Sequence, residues 1–250
     1  MPKVLGSTTD YPESYSPHLL EGIPRSKPRK GVDIWTCYEV SWCEPSGKPQ
    51  VAIVQMSVPA NSPNIVESKS LKLYLNSFNN ERLTQDEFEK KWAQDVGSCV
   101  KADIQLTFFL PDQWQNVLPV KCDGTLIDHL EPEPNKDWIE SDEVVSESLY
   151  THLFRSLCPV TSQPDWATLE IKYTGKKISE QKLLYELTHQ RNKQGFHESC
   201  VEELFDTIQN KAECNTLTVT GYFTRRGGID ITPIRTTESG IPDWKRQVRQ

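Results

Sequence analysis

No run of about 18 consecutive apolar residues occurs in the 250-residue chain, so the sequence offers no membrane-spanning helix. The opening residues, Met-Pro-Lys-Val-Leu-Gly-Ser-Thr-Thr-Asp, lack the apolar core of a secretion signal, and the expectation is a protein that stays in the cytoplasm. No two cysteines are spaced as CxxC. The seven present (Cys37, Cys43, Cys99, Cys122, Cys158, Cys200 and Cys214) are odd in number and irregular in spacing. That argues against a disulfide framework or a zinc ribbon and suits reduced thiols. Basic excess is also missing: 28 Lys and Arg against 35 Asp and Glu leave a net charge of −7. A nucleic-acid partner needs the opposite balance, so a small molecule is the expected ligand. No GxGxxG follows a strand, which removes a Rossmann dinucleotide site.

What is present is ordinary globular composition, 36% hydrophobic and 25% charged, at a length that builds one large domain or two small ones. After a Pro- and Ser-rich arm from about Thr8 to Gly31, Ile34, Tyr38, Val40 and Trp42 alternate, a turn-rich Glu44–Pro49 follows, and Ala52, Val54, Met56 and Val58 alternate again: an antiparallel hairpin. Leu71, Tyr74, Leu75 and Phe78 then repeat at helical spacing, and Thr84-Gln-Asp-Glu87 has the form of a capping box opening a second helix. Ile104 to Leu110 alternates as a strand, and Val117 to Lys121 is expected as another, confined to an edge by Pro119.

The acidic segment Asp128–Asp142 reads as a connection, and beyond it the order recurs. Val144–Phe154 is strand-like, with a helix as the alternative, and Ala167 to Tyr173 alternates. Two helical stripes follow, one at Leu183, Leu184 and Leu187, the other running from Cys200 to Ile208. Leu217 to Phe223 alternates before an Arg225-Arg-Gly-Gly228 turn into Ile229-Asp-Ile231. The expectation is an α+β chain using one ββααββ unit twice, divided as 1–140 and 141–250.

Four segments carry candidate chemistry. Cys158-Pro-Val-Thr-Ser-Gln-Pro-Asp165 joins a nucleophile to a carboxylate just before a strand; a thiolate attacks electrophilic carbon, and a nearby acid moves protons on and off the adduct. The duller reading is a buried cysteine in a tight turn. Phe196-His-Glu198 opens the last helix, with His197 a proton shuttle and Glu198 an acceptor for ring N–H groups; a helix-start carboxylate and a surface histidine are the alternative. Val66-Glu-Ser-Lys-Ser-Leu-Lys-Leu-Tyr74 begins the first helix, where Glu67 and Ser68 sit at capping positions while Lys69 and Lys72 either suit a phosphate or merely solvate the outer face. Thr224-Arg-Arg-Gly-Gly-Ile-Asp230 is either a phosphate cradle or a hairpin tip with solvated arginines. A zinc site of Cys158, His197 and Cys200 is also open, because His and Cys three apart share a helix face.

Together these segments resemble the NADPH-dependent 7-cyano-7-deazaguanine reductases of queuosine biosynthesis, the QueF-type nitrile reductases, in their long two-module form. The resemblance covers nearly the whole chain, including Thr9-Asp-Tyr11, Gly22-Ile-Pro-Arg25 and Val248-Arg-Gln250. Its most specific part is Glu67-Ser-Lys-Ser-Leu-Lys-Leu-Tyr74 occurring with Cys158-Pro and Phe196-His-Glu198. It implies a tandem tunnelling fold with the site between modules, a covalent thioimide on Cys158, and proton delivery by Asp165 assisted by His197. Val66, Glu67, Ser68, His197 and Glu198 would contact the deazaguanine, with Phe196 as a stacking wall. Ser68, Lys69, Arg226 and Gly227 would contact NADPH, and Lys69 or Arg226 would meet its extra phosphate. A homodimer, no metal, and no direct contact with tRNA or membrane are further implications. Connections around Lys27–Val32 and Asp112–Trp138 are shorter than the resemblance leads one to expect, without loss of a motif residue. Two readings compete: a zinc-dependent pterin-type cyclohydrolase on the same fold, and a purine-binding module in which Cys158 is merely buried.

Overall fold

The computed structural model describes residues 11–250, so Thr9 and Asp10 lie outside the described residues. The chain divides into two compact units. The first holds residues 11–29, 33–118 and 225–230, and the second holds 30–32, 119–224 and 231–250.

The first unit is built from β1 (Gly22–Pro24), β2 (Gly31–Cys43), β3 (Pro49–Pro59), β4 (Asn64–Val66), α1 (Ser68–Asn76), α2 (Gln85–Val100) and β5 (Gln105–Phe109). The expected hairpin is β2–β3, and β5 adds antiparallel to β3 from Ser57 opposite Gln105 to Ile53 opposite Phe109. Aromatic side chains fill the space between this sheet and the helices. Phe88 is the hub, with Phe78 at 4.5 Å, Trp42 at 5.1 Å, Trp92 at 5.8 Å and Phe108 at 6.0 Å between ring centroids. Such tilted and edge-on pairs add to the burial of their large apolar area. The capping box is present at Thr84 and Glu87, which satisfies donors that the first turn of α2 would otherwise leave open.

The arm is more ordered than its composition implies. A short 3₁₀ turn, Pro17–Leu19, precedes β1, which pairs antiparallel with β4. Tyr15 donates its hydroxyl to Asp95 at 2.6 Å, Tyr74 donates to the same oxygen at 2.7 Å, and the Lys91 ammonium lies 4.3 Å above the Tyr15 ring. The expected strand at Val117–Lys121 is absent. A 3₁₀ segment, Pro111–Val117, takes its place, followed by one isolated bridge at Val120. Pro119 has no N–H to give a ladder, so the apolar run does not extend.

The second unit contains β6 (Thr125–Leu126), β7 (Ile139–Leu157), β8 (Pro164–Ile178), α3 (Glu180–Thr188), α4 (His197–Lys211), β9 (Cys214–Phe223) and β10 (Ile229–Thr236). Its strand order is β10-β9-β8-β7-β6, antiparallel except for the short β6 beside β7. The ββααββ order expected for this half is therefore complete. β7 begins at Ile139, inside the segment read as a connection. Alternation sends Leu169, Ile171, Tyr173, Leu217 and Val219 into one core with Leu183, Leu184, Leu187, Val201, Leu204 and Ile208 of the helices. Gly221 permits this contact, since a β-carbon there would stand 2.7 Å from the Val201 side chain. The architecture is α+β with antiparallel sheets, as expected.

One ion pair is sealed inside the second unit. The fully buried Arg235 donates from Nη2 to Glu202 Oε1 at 2.8 Å, and its Nη1 reaches the backbone carbonyl of Ile234 at 3.0 Å. Removing one partner strands the other charge away from water. Glu202→Ala is therefore expected to cost about 3–5 kcal/mol, against about 1 kcal/mol for Thr84→Ala at the α2 cap. Urea unfolding followed by circular dichroism checks the ranking, and equal losses would contradict it.

Candidate active site

In the second unit the nucleophile segment is the loop of a long hairpin. The β7–β8 ladder ends with Ser156 opposite Asp165 and Leu157 opposite Pro164. One further bond, Cys158 N–H to the Gln163 carbonyl at 2.9 Å, carries the pairing to the cysteine. Residues opposite one another in a ladder share a face, as do residues two apart along a strand. Register thus sets Ser156, Cys158 and Asp165 toward the same side. The loop is tight: Ser162 donates its N–H back to the Cys158 carbonyl at 3.0 Å and adopts a left-handed φ of 57°. Cys158 is 8% exposed and Asp165 4%.

The hairpin end is tied to the start of α4. Leu157 N–H bonds the Lys193 carbonyl at 2.9 Å, and Gly195 N–H returns to the Leu157 carbonyl at 3.0 Å. Phe196 occupies the N-cap position, and His197 and Glu198 are the first residues of the helix. The His197 ring lies flat on Phe223, with centroids 4.0 Å apart and planes 11° from parallel. So held, it points Nε2 at Asp165 Oδ2, 3.4 Å away. With a proton on Nε2 shared toward the carboxylate, Nδ1 is an acceptor, and that nitrogen is buried with no hydrogen-bond partner among the described residues. Glu198 is 3% exposed in the first turn, where the helix dipole favours its anion. A thiol, a carboxyl pair and an imidazole, all largely out of water, can add to an electrophilic carbon and exchange protons with the adduct.

Cys200 lies one turn into α4. Burial pushes its thiol up to about 11, only partly offset by Ser156 and Lys193. Among the described residues no group of three His, Cys, Asp or Glu side chains is arranged to hold a metal ion, so Cys158, His197 and Cys200 are not gathered as zinc ligands.

In the first unit, Glu67 is the N-cap of α1. Its carboxylate accepts the Lys69 N–H at 2.9 Å and the Ser70 N–H at 2.7 Å, and the residue is 1% exposed. The capping reading of Glu67 thus holds; Oε1 also accepts the Ser68 hydroxyl at 3.4 Å, so Oε2 is the oxygen that keeps a lone pair for another donor. Lys69 and Lys72 are half-buried rather than spread on an outer face. Arg226-Gly227-Gly228-Ile229 closes as a two-residue turn with φ of 56° and 75° at the glycines and N–H to carbonyl bonds between Arg226 and Ile229. A β-carbon at Gly227 would also come within 3.2 Å of the end of the Lys72 side chain, which would have to shift slightly.

Beside this turn is a cavity of about 440 Å³ whose walls include Cys37, Tyr38, Lys72, Leu75, Asn76 and Gly227. Its size falls in the usual range for small-molecule sites, about 300–1,000 Å³. A cation, two flanking glycines and an aromatic wall line it. Tyr38 was visible in the sequence only as part of an alternating strand. Its hydroxyl donates to the buried Asp230, a contact between residues 192 positions apart that no local pattern announces. Phe223, which fixes His197, was likewise visible only as the last apolar residue of a strand.

Two family models match the chain: "Nitrile reductase, 7-cyano-7-deazaguanine-reductase N-term" over residues 11–108, and "QueF-like protein" over residues 164–240. The NADPH-dependent 7-cyano-7-deazaguanine reductase of Coxiella burnetii strain Dugway 5J108-111 is 42% identical, with 93% of this chain and 91% of that protein aligned. The same enzyme from strain RSA 331 / Henzerling II is similar to the same extent, 42% over the same shares. A solved archaeosine synthase QueF-Like in the apo form superposes with a TM-score of 0.34 and 16% identity over 41% of this chain and all of its own. By the near-complete alignment to these reductases, the chain belongs to the 7-cyano-7-deazaguanine reductase family of nitrile reductases.

Proposed function

We propose that the chain performs the NADPH-dependent reduction of the nitrile of 7-cyano-7-deazaguanine to the aminomethyl compound, a step in making the modified tRNA base queuosine. The observation that carries this reading is the convergence of Cys158, Asp165, His197 and Glu198 where the β7–β8 hairpin is tied to the start of α4. Its family relatives bear the name of that activity.

In this reading the Cys158 sulfur adds to the nitrile carbon. The thiol gives its proton to the Asp165–His197 pair, one carbon–nitrogen π bond becomes an N–H bond with the proton that this pair delivers, and a thioimide results. A nitrile is a poor hydride acceptor, whereas the thioimide carbon is activated and fixed in place. When bound, NADPH supplies one hydride at each of two successive reductions, four electrons in all. The carbon–sulfur bond breaks between them, returning the thiol. Asp165, lodged beside His197, again supplies the protons that the nitrogen collects. Glu198 and Glu67 accept from the N1–H and exocyclic amine of the guanine-like edge, and Val66, Ser68 and Phe196 complete the contacts to the ring. A site that pairs such donors rejects analogues that lack them. Ser68, Lys69, Arg226 and Gly227 hold the cofactor.

The modules are read as 1–140, with the signature, and 141–250, with the nucleophile. We place the protein in the cytoplasm as a homodimer acting on the free base rather than on tRNA. Its acidic balance and seven free cysteines support the first and last of these, and the family resemblance supports the dimer.

Intact-mass measurement after adding the nitrile without NADPH is the first test. A one-to-one adduct is expected in the wild type and none in Cys158→Ala; tight binding with unchanged mass would overturn the covalent step. Asp165→Asn is expected to keep substrate affinity while slowing turnover by about 10²–10⁴-fold, the usual worth of a general acid. Wild-type rates in that variant would remove Asp165 from the mechanism.

A further inference from the structure

The turn that precedes β10 carries a second arginine to which the cofactor reading gives no task. Arg225 is exposed, and its guanidinium lies 4.4 Å above the ring of Tyr38. Tyr38 is itself fixed twice: its backbone N–H bonds the Gly228 carbonyl at 2.8 Å, and its hydroxyl donates to the buried Asp230. The same Tyr38 forms a wall of the cavity beside Gly227 and Gly228. The Arg225 guanidinium thus sits over a ring that is fixed on two sides and that also borders a nucleotide-sized space. A guanidinium over an aromatic face keeps N–H donors that the ring does not use.

Other charges face the same space. Lys72 lies on the cavity wall, but its ammonium end abuts Gly227. Arg226 closes the turn through its backbone. Glu39 also lines the cavity, with its carboxylate against Gly228, and would repel a phosphate placed beside it. A phosphate monoester entering here is therefore drawn toward the Tyr38–Arg225 side. A fork of parallel N–H donors grips such a dianion with two bonds, which an ammonium does not do.

We propose that Arg225, placed over the Tyr38 ring, recognises the adenosine 2′-phosphate of the cofactor and so sets the preference for NADPH over NADH. The inference deepens the cofactor reading above and rests on it. It assigns the phosphate to a residue outside the Ser68, Lys69, Arg226 and Gly227 set. The alternative is that Arg225 merely covers the Tyr38 ring, the modest role of an exposed cation–π pair.

Calorimetric titration with adenosine 2′,5′-bisphosphate and with adenosine 5′-monophosphate separates the two, and needs no turnover. The wild type is expected to favour the bisphosphate by about tenfold or more, the scale of charge-assisted hydrogen bonds. In Arg225→Ala that ratio falls toward one while the monophosphate binds as before, and Arg225→Lys restores part of it. The kcat/KM ratio for NADPH over NADH should fall in parallel. An unchanged ratio in Arg225→Ala, an equal loss for both nucleotides, or a wild type that binds neither would overturn the proposal. Adduct formation with the nitrile uses no nucleotide, so failure of that assay would count against the reductase reading and leave the Arg225 result to be judged by itself.

Discussion

Two backbone hydrogen bonds, Leu157 N–H to the Lys193 carbonyl and Gly195 N–H to the Leu157 carbonyl, tie the end of a nineteen-residue strand to the start of a helix. The catalytic reading depends on that tie. Without it Cys158 sits on a hairpin end and His197 on a separate helix start, and nothing relates them. With it, the strand supplies the thiol, its partner strand supplies Asp165 by register, and the helix supplies His197 and Glu198. Backbone bonds are well suited to the task because they fix positions without occupying the side chains that do chemistry. The flat contact of His197 on Phe223 then sets the imidazole plane, and the 3.4 Å approach to Asp165 follows.

The electrostatics point the same way. Asp165 and Glu198 are both nearly removed from water; the His197 Nε2 stands 3.4 Å from Asp165, and Glu198 lies in the first turn of a helix, where the dipole favours an anion. Cys200, three residues along α4, shows the contrasting case. Its thiol is pushed up to about 11 chiefly by desolvation, which suits packing and not attack. Of the two cysteines near this helix start, only Cys158 lies on the hairpin that also carries a carboxylate.

Much of the fold was legible because local rules sufficed. Thr84 and Glu87 announced α2 through a reciprocal cap, and strict alternation at Ala167–Tyr173 and Leu217–Phe223 gave strands whose apolar faces meet α3 and α4. Reading failed where a local signal was weak or contradicted. Val117–Lys121 looked apolar enough for a strand but contains Pro119, and β7 starts inside an acidic stretch because strand pairing with β8 outweighs composition. The site was legible as motifs and not as geometry. Cys158, Asp165, His197 and Glu198 each stood out by chemistry. The bonds joining 157 to 193–195, the Phe223 platform and the Tyr38–Asp230 contact are products of tertiary structure and leave no trace in spacing. Glu67 illustrates the overlap of roles, since the capping position that made it look structural is where it is found.

The central claim is that one thiol and its proton donors convert a nitrile to an amine at the expense of reduced nicotinamide. Its most direct test follows NADPH absorbance while the aminomethyl product is quantified by chromatography, using purified protein and limiting 7-cyano-7-deazaguanine. The account predicts two NADPH oxidised for each nitrile consumed, with the amine as the product. No nitrile-dependent oxidation across a range of pH, or loss of the nitrile without oxidation, would contradict it.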